Sequence, residues 1–345
     1  MRRLYHLETN SSEIVYAESL SRLLQQEHFS FLTEYSSVLF VTSQSFYENY
    51  YDKFSAIFKS DTLFNWYVCP RYNDIHTISS YEGIVSYIEE MKLPVNTVLV
   101  GAGNEKIHYL CGFLRSTSFY IAHYLFLPTT MKGFINAIKS KGSLLIANHL
   151  TISNLYALPE QIIYDTMLIE LEGEDSWFND YFELLKLSLY SSDELFQLLS
   201  QASFKRPQSW TPYIEMVIDC LESKQVEIDV PLMAITRSFY ELTESHYMTL
   251  VEKEQISFLL YFYWCLKKGN VDFNFKLLVD WLIELLPSNL KLPPKMNTYE
   301  LAESITNELG RYDHVVGLNQ MGSSKIIDRP TMKEMYHVIE SYREI

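Results

Sequence analysis

Residues 98–130 constrain the fold of this chain most tightly. They read VLVGAGNEKIHYLCGF, then a second apolar run, then LPTT. The order predicts a strand, a glycine turn, a helix and a buried strand that ends in Pro-Thr-Thr. A nucleotide site is built in this order, with a diphosphate resting on the glycine turn and the following helix N-terminus. Gly101 and Gly103 are the candidate cofactor-binding glycines, with Ala102 between them. Thr129 and Thr130 are candidates because hydroxyls at the C-terminal end of a buried strand reach the crevice where such ligands sit.

Strand and helix patterns alternate through the first half of the chain. SVLFV (37–41), TVLV (97–100), AHYLFL (122–127), SLLIA (143–147) and DTMLIE (165–170) read as buried strands. An amphipathic segment, SSYEGIVSYIEEMKL (79–93), lies among them. This alternation predicts a Rossmann-like, mostly parallel sheet. After about residue 172 apolar residues recur at three and four, as helices require. Ser192 and Asn297 are expected N-caps, and prolines 287, 293 and 294 mark a loop between late helices. The expected domains are an α/β domain over 1–171 and an all-α domain over 172–345.

Composition narrows the function. The net charge is −15, which gives no electrostatic reason to hold nucleic acid or an anionic membrane, and neither is an expected partner. Four scattered cysteines without a CxxC indicate neither a zinc cluster nor a disulfide framework, and suit a cytoplasmic protein. MRRLYHLETNSSE has no apolar core, so no signal peptide is expected. There are 11 glycines in 345 residues, about 3% against a usual ~7%, so few loops can bring backbone against a phosphate. No Walker loop, GxSxG elbow, HxxxH or HxH pair occurs.

Several segments, taken in order and spacing, resemble the 3-dehydroquinate synthase family, within the superfamily that includes glycerol dehydrogenases. SVLFVTS (37–43) is similar to the family's first strand, which ends in Val-Thr-Asp. VGAGNEKIHYLCGF (100–113) resembles its glycine turn and helix, and LPTTMKGFINA (127–137) its Pro-Thr-Thr segment. FELLKLSLYSSDELFQLL (182–199) resembles the metal-glutamate helix, Ala-Glu-Val-Ile-Lys-Tyr-Gly. ITRSFYELTE (235–244) resembles Phe-Gly-His-Ser-Phe-Gly-His-Ala-Ile-Glu. VEKEQISFLL (251–260) resembles Leu-His-Gly-Glu-Ala-Val-Ala-Ile-Gly-Met, and NQMGSSKIID (319–328) the closing hairpin.

The resemblance implies a dehydroquinate synthase-like fold, NAD and a divalent metal held by one Glu and two His. It also implies conversion of a seven-carbon sugar-acid phosphate into a ring, and a homodimer. Residue by residue, Glu183 matches the metal glutamate and Lys186 the lysine one turn on. Arg237 stands at the first metal histidine, Glu241 at the second histidine of that motif, and Glu252 at the other metal histidine. Asn136 replaces the substrate aspartate, Ser43 the ribose-binding aspartate, and Ile107 or His108 the acidic residue after the turn.

A guanidinium has no lone pair to donate, and its pKa exceeds ~12. No metal site is therefore expected, and zinc is not an expected cofactor. NAD is the cofactor the retained glycines allow. An ion pair from Arg237 to Glu183, Glu252 or both is expected instead of the metal. Two functions follow. One is a degenerate, pseudoenzyme-type member acting by binding a protein partner. The other is an active NAD-dependent sugar-phosphate cyclase or polyol dehydrogenase with altered chemistry.

Overall fold

The computed structural model describes residues 2–7, 10–16, 35–56, 62–70, 75–139, 141–146, 150–165, 168, 174–201, 210–223 and 228–345. Two compact units divide the chain, Met1–Asp180 with Gln208–Glu222, and Tyr181–Pro207 with Ser223–Ile345.

The first unit opens with β1 (Arg2–Leu7) and β2 (Asn10–Val15). β3 (Ser37–Thr42), α1 (Gln44–Ser55) and β4 (Leu63–Val68) follow, then α2 (Ile78–Glu90) and β5 (Thr97–Gly103). α3 (Glu105–Thr117), β6 (Ile121–Pro128) and α4 (Met131–Ile138) come next. β7 (Lys141–Ile146), β8 (Leu150–Tyr156) and β9 (Gln161–Ile163) complete the strands of this half. The seven-stranded sheet has the order β1-β2-β9-β6-β5-β3-β4. All its neighbours are parallel except β1 with β2.

The sheet is parallel because its strands are apolar on both faces and helices follow them. β3 is buried at all six residues and β5 at all seven. Phe40 on β3 stacks on Trp66 with ring centroids 4.4 Å apart and meets Phe54 of α1 at 4.9 Å. Burying one such phenyl ring contributes about 2–3 kcal/mol. Each helix start has a side-chain cap in the sequence: Ser43 for α1, Thr77 for α2, Asn104 for α3 and Thr130 for α4.

One expected strand needs correction. SLLIA falls in β7, which pairs antiparallel with β8 in a separate two-stranded ribbon rather than joining the main sheet. A short apolar run does not encode which sheet it enters. Of the strand expected at 165–170, residues 166, 167, 169 and 170 lie outside the described residues; the strand seen just before it is β9, at Gln161–Ile163. Leu168 is helical.

Helices follow. α5 (Glu174–Ser191) begins in the first unit and ends in the second. After α6 (Asp193–Gln201), α7 (Ile214–Ser223) returns all but its last residue to the first unit. There Arg3 pairs with Asp219 and Glu222, and Tyr16 donates to Glu215 at 2.9 Å. The second unit continues with α8 (Asp229–Tyr240), α9 (Leu250–Gly269) and α10 (Phe275–Leu285). α11 (Thr298–Leu309), the hairpin β10 (His314–Gln320) and β11 (Ser323–Asp328), and α12 (Met332–Arg343) close it.

The caps expected at Ser192 and Asn297 are present: Ser192 accepts from the Leu195 N–H, and Asn297 from Tyr299 and Glu300. Among the described residues no helix is long and apolar enough to cross a membrane.

Candidate functional site

The strand order reverses between β3 and β5, since β4 lies on the far side of β3. Open α/β sheets bind ligands at such a switch point, outside the strands' C-terminal ends. Thr42, Ser43 and the Gly101–Gly103 turn stand there. Gly103 has φ near +157°, and a Cβ on it would meet Ile107 Cγ1 at 2.6 Å. A Cβ on Gly101 would lie 3.0 Å from Cys111 Sγ. The turn is therefore glycine for packing reasons of its own, with or without a ligand.

Polar groups around the turn bond within the protein. Thr42 Oγ1 donates to the Ala102 carbonyl at 2.7 Å. Ser43 caps α1, accepting from the Phe46 N–H. Asn104 caps α3 through the Lys106 N–H, at 3.1 Å. Glu105 is the first residue of α3, and its carboxylate lies 3.8 Å from Lys132 Nζ. A carboxylate there favours the helix dipole and disfavours a second anion. Of the two residues aligned with the family's acidic position, Ile107 packs under Gly103, while His108 is buried with Nδ1 2.8 Å from Tyr124 Oη. Burial pushes the Tyr124 hydroxyl and the Cys111 thiol well above their ordinary ranges, so both are neutral near pH 7.

α4 starts beside α3: a Cβ on Gly133 would lie 3.2 Å from the Glu105 nitrogen. Its N-terminal amides are already engaged. Met131 N–H and Lys132 N–H each donate to the Asp180 carboxylate at 2.8 Å, and Gly133 N–H donates to Thr130 Oγ1 at 2.9 Å. Asp180 is 2% exposed. The anion seat that a helix start offers is thus occupied by the chain's own carboxylate. Thr129 N–H donates to the Gly103 carbonyl at 2.9 Å, tying the Pro-Thr-Thr segment to the turn. Asn136 folds back on α4, donating to the Lys132 carbonyl at 2.8 Å.

In the second unit Lys186 Nζ lies 2.5 Å from Glu183 Oε2, both largely buried. Arg237 does not make the expected pair with Glu183 or Glu252; it lies 3.6 Å from Glu308 Oε2. The reason is local. Arg237 is on the last turn of α8, against α11, where Glu308 also holds Arg311 at 2.5 Å. Glu252 is the third residue of α9 and reaches back to the Thr249 N–H at 2.7 Å in a capping box. Glu241 accepts from Ser304 of α11 at 2.5 Å. Arg237 on the last turn of α8 and Glu241 at its C-cap therefore meet 308 and 304, one turn apart on α11.

Among the described residues no three His, Cys, Asp or Glu side chains lie close enough to hold a metal ion. The aligned donors do not fit zinc, which needs imidazole, thiolate or carboxylate ligands converging in a tetrahedron. Gly101–Gly103, expected as a turn, are the last residues of β5, paired with β3 and β6, and Glu105 and the Asp180-filled start of α4 oppose a diphosphate beside them.

Sequence reading missed Asp180, Glu308 and Lys253. Lys253 is 4% exposed, and its Nζ lies 3.8 Å from the Tyr240 ring centroid. Burial lowers its pKa. Asp180 and Glu308 carry no local signal, because an acidic residue on a helix is usually solvated.

No family model matches the chain. The 3-dehydroquinate synthase of Listeria monocytogenes is 26% identical over 197 residues, which cover 54% of this chain and 53% of that protein. The match thus spans about half the length of that relative. Among solved structures, the 2-epi-5-epi-valiolone synthase of Streptomyces hygroscopicus, with NAD+ and Zn2+ bound, superposes with a TM-score of 0.76 at 16% identity and covers 99% of each chain. A 2-deoxy-scyllo-inosose synthase complexed with carbaglucose-6-phosphate, NAD+ and Co2+ gives 0.71 at 11% identity, covering 100% of this chain and 99% of its own. The chain resembles 3-dehydroquinate synthase in sequence over about half its length, and its fold is that of the 2-epi-5-epi-valiolone and 2-deoxy-scyllo-inosose synthases.

Proposed function

We propose that this dehydroquinate synthase-like chain is catalytically degenerate and acts by binding, as the partner subunit or scaffold of a biosynthetic or modifying complex. One observation carries the reading. The two positions aligned with histidines, on α8 and at its C-cap, hold Arg237 and Glu241, and both are engaged by α11 through Glu308 and Ser304. A guanidinium held by a carboxylate offers a metal no electron pair and a substrate hydroxyl no Lewis acid. Glu183 keeps its aligned place but neutralises Lys186.

The second reading, an active NAD-dependent cyclase or polyol dehydrogenase with altered chemistry, draws support from the glycine turn at the β3/β5 switch point, with Thr129 tied to it.

Purified chain, incubated with NAD+, Zn2+ or Co2+ and a seven-carbon sugar-acid phosphate, decides between them. The expected result is no phosphate release, and less than a tenth of an equivalent of zinc by metal analysis. One zinc per chain together with phosphate release overturns degeneracy. Calorimetry with NAD+, NADH and ADP at millimolar levels then reports separately on the glycine turn, and no heat is the expected outcome.

A further inference from the structure

Laid over residues 235–244 and 251–260, the two family motifs place small residues at several positions, among them glycines at 236, 240 and 253 and an alanine at 257. Here those positions hold Thr236, Tyr240, Lys253 and Ser257. The four replacements are not independent. Thr236 Oγ1 donates to Ser257 Oγ at 3.1 Å, and Lys253 Nζ sits 3.8 Å over the Tyr240 ring. Positions 236 and 240 are one turn apart on α8, as 253 and 257 are on α9, so the two pairs form one antiparallel seam.

Glycine leaves a side-chain-sized space on a helix face, and a tyrosine ring and a lysine stem fill two such spaces together. The fill is tight: Lys253 is 4% exposed and Ser257 0%. The ammonium makes a cation–π contact with the Tyr240 ring.

We propose that Tyr240 and Lys253 form an internal plug between α8 and α9. It fills the α8–α9 seam, which glycines at 240 and 253 would leave open to metal ions and small solutes. The inference rests on the reading above that α8 and α9 are the rewritten motif helices. It adds that restoring donors would not restore the site, because the room for a ligand is gone as well.

Limited acetylation of the full chain, read by mass spectrometry, is the first test. Lys253 should react at least about tenfold more slowly than the exposed Lys276 and Lys333, and Tyr240→Gly should abolish that protection. Reaction of Lys253 at the reference rate, or protection unchanged by Tyr240→Gly, overturns the plug.

The second test supplies donors. Arg237→His with Glu252→His should bind no zinc in calorimetry while the plug is present. Adding Tyr240→Gly and Lys253→Gly should give one zinc per chain. Equal zinc affinity in the two backgrounds, including none in either, overturns the proposal; if the fourfold variant does not fold, the acetylation result decides. Turnover by the native chain would refute degeneracy without touching the acetylation pattern, so the two readings fail separately.

Discussion

The glycine turn of the first unit and α8 of the second carry the two halves of the family resemblance, and they have diverged differently. At the turn the backbone persists: Gly101 and Gly103 stand where a Cβ would strike Cys111 or Ile107. On α8 the backbone persists too, but the side chains are reassigned to α9 and α11. Glycines that also serve packing are kept whether or not a ligand binds. A site made of side-chain donors lasts only as long as the donors themselves.

Four measurements sharpen or break this contrast. The largest effect is common to both units. Burial pushes Cys69 in the first unit and Cys265 in the second from 9.0 to about 12. Between those values the unfolded chain has lost a proton that the folded chain keeps, so stability is complete below pH 9 and falls as pH rises toward 12. Each thiol accounts for up to about 4 kcal/mol over that span. Denaturant titrations at pH 8 to 11 should show the fall, and Cys69→Ala or Cys265→Ala should flatten it. A slope unchanged in both variants means that neither core depends on a neutral thiol.

Gly103→Ala comes next. The added methyl meets Ile107 in a backbone conformation that glycine favours, and the loss should be about 3 kcal/mol in chemical denaturation. A near-neutral variant would show that the turn was kept for a ligand and not for packing.

Asp180→Ala should cost about 2 kcal/mol by emptying the cap of α4. The uncovered amides should then let inorganic phosphate raise the melting temperature of the variant more than that of the native chain. Equal response to phosphate in both proteins would mean that the carboxylate does not occupy an anion seat.

Glu308→Gln should be the mildest, at about 1 kcal/mol, because Arg237 and Arg311 are partly solvated. A double-mutant cycle with Arg237→Met measures the pair directly. Zero coupling would detach Arg237 from α11 and remove the central support for degeneracy.

The parallel sheet was legible because strands buried on both faces leave unbroken apolar runs, as at β3 and β5. The late helices were legible from periodicity, and Asn297 from its position before the run. β1 and β2 were not read, since RRLYHL and NSSEIV alternate weakly. β9, three residues long, is below the length at which any period can register.

At the site, the sequence resemblance aligns Arg237 with a metal histidine and predicts an ion pair for it. It misplaced the partner, because Glu308 lies 71 residues away on a helix that matched no motif. The Tyr240–Lys253 contact was present in the motif comparison as two large residues over two glycines. Reading it required knowing that α8 and α9 run side by side.

The double stitching of α8 also resists piecemeal change. Four consecutive-turn positions, 236, 237, 240 and 241, each have a counterpart on a neighbouring helix. Reverting any one of them strands its counterpart, such as Glu308 without Arg237, and lowers stability before any chemistry returns. On the reading proposed above, fitting a metal ion here would therefore require moving several residues at once.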